Sequence, residues 1–394
     1  MSHLDRHPSR VFFRAVLGAL LVASLVESRV ARAVQVISPP VGRRVIVFNG
    51  ENNRLNAYDP ASGFLKQTVI PSSSDSPQGL DINAQICFDP EGSRRFIAGE
   101  DTNQPNPPQG WGIFQLSGQR VGSLSAQEIG KLTPTYQNSP DNAENYGCGF
   151  LSDHRALTTD VGDQADGPGN GQLIVWFPPF DSFQVRYCKL DIGIGTAGAI
   201  MVDAKDRIYV ASSRVDPGIY RYTGPFPTSD DASGGCGQTD STGAPLADTL
   251  NREKFIDADQ NIPTPNAIVD SGRGTFYVSS VFNGVIAEFD QNGNFMRRIL
   301  EPPAGETLGS MPFSTGTPLG IGVDSAGTLY YADIGIVISD RGVGPGNHTG
   351  TVRRIRFEAG APLPPETMDV GLGFPDGVGI LEIPFGTTRL RRPK

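Results

Sequence analysis

The sequence predicts an all-β protein: a six-bladed β-propeller closed by its own C-terminal strand. Three observations carry this. Gly (48) and Pro (32) make up about a fifth of the 394 residues, against roughly 12% in ordinary globular chains, and show no collagen period. One strand-like hexamer recurs six times. An inner strand missing ahead of the first hexamer reappears near the C-terminus. With 38% hydrophobic and 19% charged residues, the chain can bury a sizeable core, so collagen-like, coiled-coil and wholly disordered readings are excluded.

Taken in order, residues 1–33 hold a basic start (Arg6, Arg10, Arg14), an apolar run from Ala15 to Val26 and the triplet Ala31-Arg32-Ala33. This is the pattern of a secretory signal peptide. The run has twelve residues, short of the roughly 20 a membrane-spanning helix needs. Cleavage after Ala33 is expected, which places the chain in a secreted or periplasmic setting with no membrane span. Removing these residues leaves 28 basic against 40 acidic side chains, a net charge of −12. That balance opposes binding to nucleic acid and to anionic membranes. A propeller spanning 34–386 follows, then a basic tail over 387–394 that reads as solvated and frayed.

The six hexamers are Arg44–Asn49, Arg95–Glu100, Arg155–Asp160, Arg207–Ser212, Thr275–Ser280 and Thr328–Asp333, with ends 51, 60, 52, 68 and 53 residues apart. Each is apolar or β-branched in the middle and ends in a small or polar residue. The period suits a four-stranded propeller blade with loops. One blade reads in full: NAIVD from Asn266, a Ser-Gly-Arg-Gly turn, TFYVSSVF, Asn283-Gly284, VIAEFD, Asn292-Gly293 and FMRRIL. Asn-Gly between β-rich runs predicts two type I′ hairpin turns. Inner strands recur at Gln85–Asp89, Gly149–Asp153, Ala199–Asp203 and Gly320–Asp324, and small residues at their starts suit a crowded axis. The sixth is Gly377–Ile383, whose pairing with the strand from Arg44 closes the ring and removes exposed sheet edges. One domain, monomeric, is the expectation.

The pattern of inner-strand Asp, small turn, Leu-Tyr-x-x-Asp and hairpin resembles NHL repeats, and more broadly the six-bladed propellers of the regucalcin/gluconolactonase superfamily. Gly320–Asp333 (GIGVDSAGTLYYAD) and Asn266–Ser280 (NAIVDSGRGTFYVSS) carry it. The resemblance implies a divalent cation, commonly calcium, held at the channel mouth by Glu, Asn and Asp and used to hydrolyse lactones or esters. A hard cation takes oxygen ligands and polarises a carbonyl. Pro265-Asn266-Ala267 resembles the family's Pro-Asn-Gly, and Pro375-Asp376-Gly377 its Pro-Asp-Gly. The acidic partner of the family's first blade has no aligned counterpart. The nearest substitute is Glu144 or Asn145, in the loop that enters the third blade. The calcium set is therefore Asn266, Asp376, Glu144 and Asn145. The same residues also read as strand-end caps and turn formers, and the inner-strand aspartates Asp89, Asp153, Asp203, Asp270 and Asp324 read as turn residues. The acidic loop from Asp160 to Gly167 lacks the every-second-residue spacing of an EF-hand.

Cys87, Cys148, Cys188 and Cys236 are even in number and form no CxxC pair, so two disulfides in an oxidising compartment are expected, with three connectivities open. Cys87 and Cys148 lie in or beside inner strands of successive blades. Cys188 lies in an outer strand and Cys236 in the insert Thr228–Leu250 of the next blade. Those placements favour Cys87 with Cys148 and Cys188 with Cys236. The insert reads as a mobile surface loop that shades the channel mouth. The remaining histidines, His154 and His348, sit in neither a GxSxG elbow nor an HExxH helix, so nucleophilic catalysis has little support. The sequence leaves an exported module that binds a small molecule or protein partner, with a calcium-dependent lactonase or esterase as the alternative and a structural envelope protein as a third class.

Overall fold

The computed structural model describes residues 43–384 except 77–78, 91, 101–109, 136–144, 163–170 and 181–184. The leader 1–33, the tail 387–394, Glu144 and most of the acidic loop lie outside the described residues.

The β-branched and aromatic runs pair into six blades of four antiparallel strands, each counted from the axis outward, and in blade 3 two short strands extend the outer edge to a six-stranded sheet. Blade 1 takes its inner strand, Val378–Pro384, from the end of the chain and continues through Arg43–Glu51, Arg54–Asp59 and Leu65–Ile70. The register runs without a break from Arg43 opposite Pro384 to Asn49 opposite Val378. The inner strands of blades 2 to 6 are Ile82–Phe88, Asn145–Phe150, Ala197–Val202, Pro265–Asp270 and Pro318–Val323. Each packs on the next, and Pro318–Val323 packs on Val378–Pro384, so the ring is closed. Blade 6 is tied to blade 1 by Lys66 Nζ and Tyr58 OH, 2.7 and 2.9 Å from Asp369 Oδ2. Closure by the C-terminal strand is therefore as the sequence predicts.

The core is divided among the blade interfaces. Phe48, Phe96 and Phe114 fill the space between blades 1 and 2, with the Phe96 and Phe114 rings stacked at 5.0 Å. Trp111 and Trp176, fully buried, meet between blades 2 and 3. Burying such side chains contributes about 1.5–3 kcal/mol each.

Inner-strand aspartates close the first hairpin by accepting backbone N–H groups ahead of them. Asp203 accepts from Lys205 and Arg207, Asp324 from Ala326 and Thr328, and Asp270 from Gly272. Asp89 is the variant: it lies 3.0 Å from Nδ1 of His154 in the equivalent turn of blade 3.

Three expectations are corrected. At Asn283-Gly284 and Asn292-Gly293 the hairpins form, but only the glycines have positive φ. A type I′ turn needs both, and it occurs instead at Asn52-Asn53, φ 48° and 63°. The inner strand of blade 3 begins at Asn145, four residues before Gly149. Thirdly, the Thr228–Leu250 insert is built into a sheet. Its Pro245–Leu246 segment pairs in parallel with the outer strand of blade 3, Arg186–Asp191, and Gln238–Thr239 adds a further edge. The Cys188–Cys236 disulfide fastens it, and Lys189, 1% exposed, forms a buried ion pair with Asp240. The insert covers the outside of blade 3, far from the axis, and so does not shade the mouth.

Candidate functional site

One end of the channel is built from the starts of the inner strands and the ends of the second strands. Opposite the last residue of each second strand lie Ile82, Asn145, Ala197, Pro265 and Pro318, paired with Glu100, Asp160, Ser212, Ser280 and Asp333. The next residues, Asn83, Tyr146, Gly198, Asn266 and Leu319, therefore occupy equivalent positions at the mouth. Blade 1 supplies Asp376 just before its inner strand. Backbones approach closely here: a Cβ on Gly377 would stand 1.7 Å from the Ala84 carbonyl oxygen, and one on Gly320 2.3 Å from that of Asp376.

Asn266 donates from Nδ2 to the Tyr146 hydroxyl at 3.0 Å, and that hydroxyl points at the Asp376 carbonyl oxygen, 3.5 Å away. Tyr146 is partly exposed as a residue, yet burial pushes its phenol well above the ordinary range; the Asp376 charge adds to this and the Asn266 bond opposes it. The phenol is thus neutral at physiological pH and serves as a hydrogen-bonding hub.

Asp376 is 2% exposed. Its carboxyl accepts the Gly377 N–H at 2.7 Å and a short bond from the Ala84 N–H, while its own N–H donates to Gly50. Ala84 presents that N–H by adopting a left-handed φ of 67°, a conformation costing an L-residue roughly 1–2 kcal/mol. The carboxyl therefore holds the seam between blades 1 and 2. Asn145, also buried, donates from Nδ2 to the carbonyls of Glu100 (2.9 Å) and Gly110 and ties blade 2 to blade 3.

The structure brings Asn266 and Asp376 together through Tyr146 and turns Asn145 toward blade 2. For calcium, which takes six to eight oxygens, the fit is poor. Both Asp376 carboxyl oxygens accept backbone donors, and among the described residues no group of three or more His, Cys, Asp or Glu has the geometry to hold a metal. Buried acceptors without a partner do occur nearby, at Asn49 Oδ1, Asn83 Oδ1 and Glu100 Oε1, but they belong to blades 1 and 2 rather than to the predicted set.

Sequence reasoning missed Tyr146, Asn83 and Gln85. Gln85 sits deeper in the channel, where Nε2 donates to the Ile200 carbonyl at 2.7 Å and Oε1 accepts the N–H groups of Ile200 (2.9 Å) and Cys148 (3.0 Å). One side-chain amide thus links blade 2 to the inner strands of blades 3 and 4. The signal was present: Gln85 is the one long polar residue in a column otherwise made of Gly, Ala and Asn. Both disulfides form as predicted, Cys87–Cys148 and Cys188–Cys236.

On the side of blades 5 and 6 the mouth is apolar. Val281, Leu319, Ile334 and Ile336 are buried against Tyr146 and Leu308. Above them the hairpin Ile336–Ser339/Gly342–Pro345 is fixed to the preceding loop by the Ile338 N–H donating to Gly309 O at 2.6 Å. Phe282, Met311, Ile338 and Val343, carried on these loops, are 40%, 72%, 46% and 55% exposed.

No family model matches the chain, and no curated protein matches it. Among solved structures it is similar to one from a nidogen/laminin complex, at 12% identity and TM-score 0.50 over 85% of this chain and 98% of that one. It is also similar to a Bacteroides caccae protein of unknown function, at 13% identity and TM-score 0.48 over 86% and 99%. A gluconolactonase from Xanthomonas campestris matches at 12% identity and TM-score 0.42 over 71% and 75%. At such identities a likeness speaks for the fold alone; by its own sheet order the chain is a six-bladed β-propeller.

Proposed function

We propose that the protein is an exported binding module that holds a ligand or partner at the channel mouth, against the loops of blades 5 and 6. The observation that carries this is the exposure of four large apolar side chains, Phe282, Met311, Ile338 and Val343, on the loops of blades 5 and 6, since exposed apolar surface is where soluble proteins meet partners. Export is supported by the leader pattern of residues 1–33 and by two disulfides, which persist in oxidising compartments. Among the described residues no helix is long and apolar enough to cross a membrane.

The alternative, a calcium-dependent lactonase or esterase, rests on the resemblance of Asn266 and Asp376 to the family's ligands. One experiment separates the two. The mature chain is titrated with calcium by calorimetry, assayed on δ-lactones and aryl esters, and titrated with the hydrophobic dye ANS. The binding reading expects no calcium-dependent turnover, and saturable dye binding that weakens in the Met311→Asp/Ile338→Asp double variant. Calcium-dependent hydrolysis that is lost in Asn266→Ala yet kept in the rim variant would replace it with the enzyme.

A further inference from the structure

The channel has a second end, at the far side of Gln85 from the mouth. At the last residues of the inner strands of blades 2 to 4 lies a cavity of about 480 Å³, with Gln85 at its inner end and the Cys87–Cys148 pair in its wall. Its sides are Phe88, Phe150, Ile200, Val202 and Ile380, and its rim carries Ser152, Asp203, Ala204 and Asp206. The volume falls in the range of small-molecule sites, which combine apolar walls with a few polar groups that orient the ligand.

The charges on the rim are unequal. Asp203 is paired with Arg207 at 2.6 Å. Asp206, half-buried, accepts the N–H and Oγ–H of Ser152 at 2.8 and 2.6 Å. No ion pair is formed by Asp206 among the described residues. Neighbouring Lys205 belongs to the adjacent cleft, which it lines with Arg207, Arg221 and Asp270. A carboxylate partly removed from water beside apolar walls is stabilised by a cation, and the cavity behind it accepts an apolar body. Ser152 Oγ, which donates to Asp206, retains lone pairs for a donor on the ligand.

We propose that this end of the channel binds an organic cation: an amine whose ammonium pairs with Asp206 and Ser152 and whose aromatic or branched aliphatic body lies between Phe88, Phe150 and Val202. The site is independent of the mouth. The test is calorimetric titration of the mature protein with phenethylamine, phenethyl alcohol and phenylacetate. The amine binds saturably at one site, the alcohol about tenfold or more weaker, since it lacks the charge-assisted bond, and the acid gives no saturable heat. Asp206→Asn, which tolerates the left-handed φ of 57° at this position, weakens the amine about tenfold. Ala204→Trp, at an exposed rim position, blocks access without touching the core. Asn266→Ala, at the other end, leaves amine binding unchanged, so failure here and failure at the mouth are told apart. Absence of saturable heat with the amine, equal affinity for all three probes, or wild-type affinity in Ala204→Trp would each overturn the proposal. Should Asp206→Asn fail to fold, Ala204→Trp decides.

Discussion

Replacing Asp376 by Ala tests whether this residue is primarily a seam or a ligand. The substitution removes the acceptor of two backbone N–H groups, those of Ala84 and Gly377, at a residue 2% exposed. Each orphaned buried donor costs about 1–3 kcal/mol, giving about 2–6 kcal/mol in all, a large part of the roughly 5–15 kcal/mol that holds a typical domain together. The left-handed backbone of Ala84 adds to the loss, because the bond that compensates it is gone. Asn266→Ala is the contrast. Asn266 is half-exposed and makes one bond, to Tyr146, worth about 0.5–1.5 kcal/mol. The assay is urea denaturation in EDTA, read by far-ultraviolet circular dichroism. The seam reading expects a clear fall in midpoint for Asp376→Ala, a smaller one for Asp376→Asn, and little change for Asn266→Ala. A wild-type midpoint for Asp376→Ala in EDTA, with a deficit only when calcium is added, would refute the reasoning and make Asp376 a metal ligand.

Three further outcomes follow from the same contacts. Gly377→Ala places a methyl 1.7 Å from the Ala84 carbonyl, so it forces backbone movement at the closure and lowers the melting temperature at least as far as Asp376→Ala. The Cys188→Ser/Cys236→Ser double variant removes a link across 48 residues, a constraint of about 4 kcal/mol in the chain-entropy view; the insert becomes open to limited proteolysis while the propeller keeps its circular dichroism spectrum. Glu128 is exposed as a residue, yet partial desolvation of its carboxyl and the neighbouring Glu100 push it up to about 7. A raised folded-state value stabilises below the ordinary range of a free glutamate, roughly 4.3, and is lost as pH climbs through 7. Wild type therefore loses stability relative to Glu128→Gln between about pH 4.3 and 7, measured by paired denaturation curves, and a constant difference across that window contradicts it.

The sequence showed the blades because their signals are local: hexamers of β-branched and aromatic residues, an Asp at the first hairpin of blades 2 to 6, a terminal strand with the right pattern. The mouth was less legible, because bulges differ between blades and the hairpin Asp does not stand at one register position. The inner strand of blade 2 carries two residues more than its partner between Asn83 and Ile86, while blade 5 carries one between Pro265 and Ala267. Columns counted back from the inner-strand Asp put Gln85 and Gly149 beside Asn266, whereas the true equivalents are Asn83 and Tyr146: in blade 3, whose single extra residue matches that of blade 5, Asp153 stands three residues past Phe150, the partner of Ala156, while Asp270 itself pairs with Phe276. A bulge leaves little trace in residue type, so blade 2 needs a gap, whereas blade 3 aligns with blade 5 without one once the second strands, Ala156–Asp160 and Phe276–Ser280, are matched. The insert was misread because its Ser, Asp and Gly content suggests mobility, and nothing local to Thr228–Leu250 announces a parallel partner in the preceding blade.

The bulges also explain why Asp376 stands where it does. Blades 2 to 6 each break register near the start of the inner strand, and blade 1, assembled from the two ends of the chain, does not. A straight inner strand beside a doubly bulged one leaves the Ala84 N–H facing blade 1 with no strand carbonyl to receive it, and the Asp376 carboxyl takes that place. The acidic residue at the mouth is thus a consequence of closing the ring with a strand from the far end of the chain. In this ring the carboxyl is needed for pairing, whether or not the propeller performs chemistry. A Pro-Asp-Gly before a closing inner strand is accordingly weak support for a metal, and the discriminating positions are those that pairing does not require: the orphan amide oxygens of Asn49 and Asn83 and the apolar rim of blades 5 and 6.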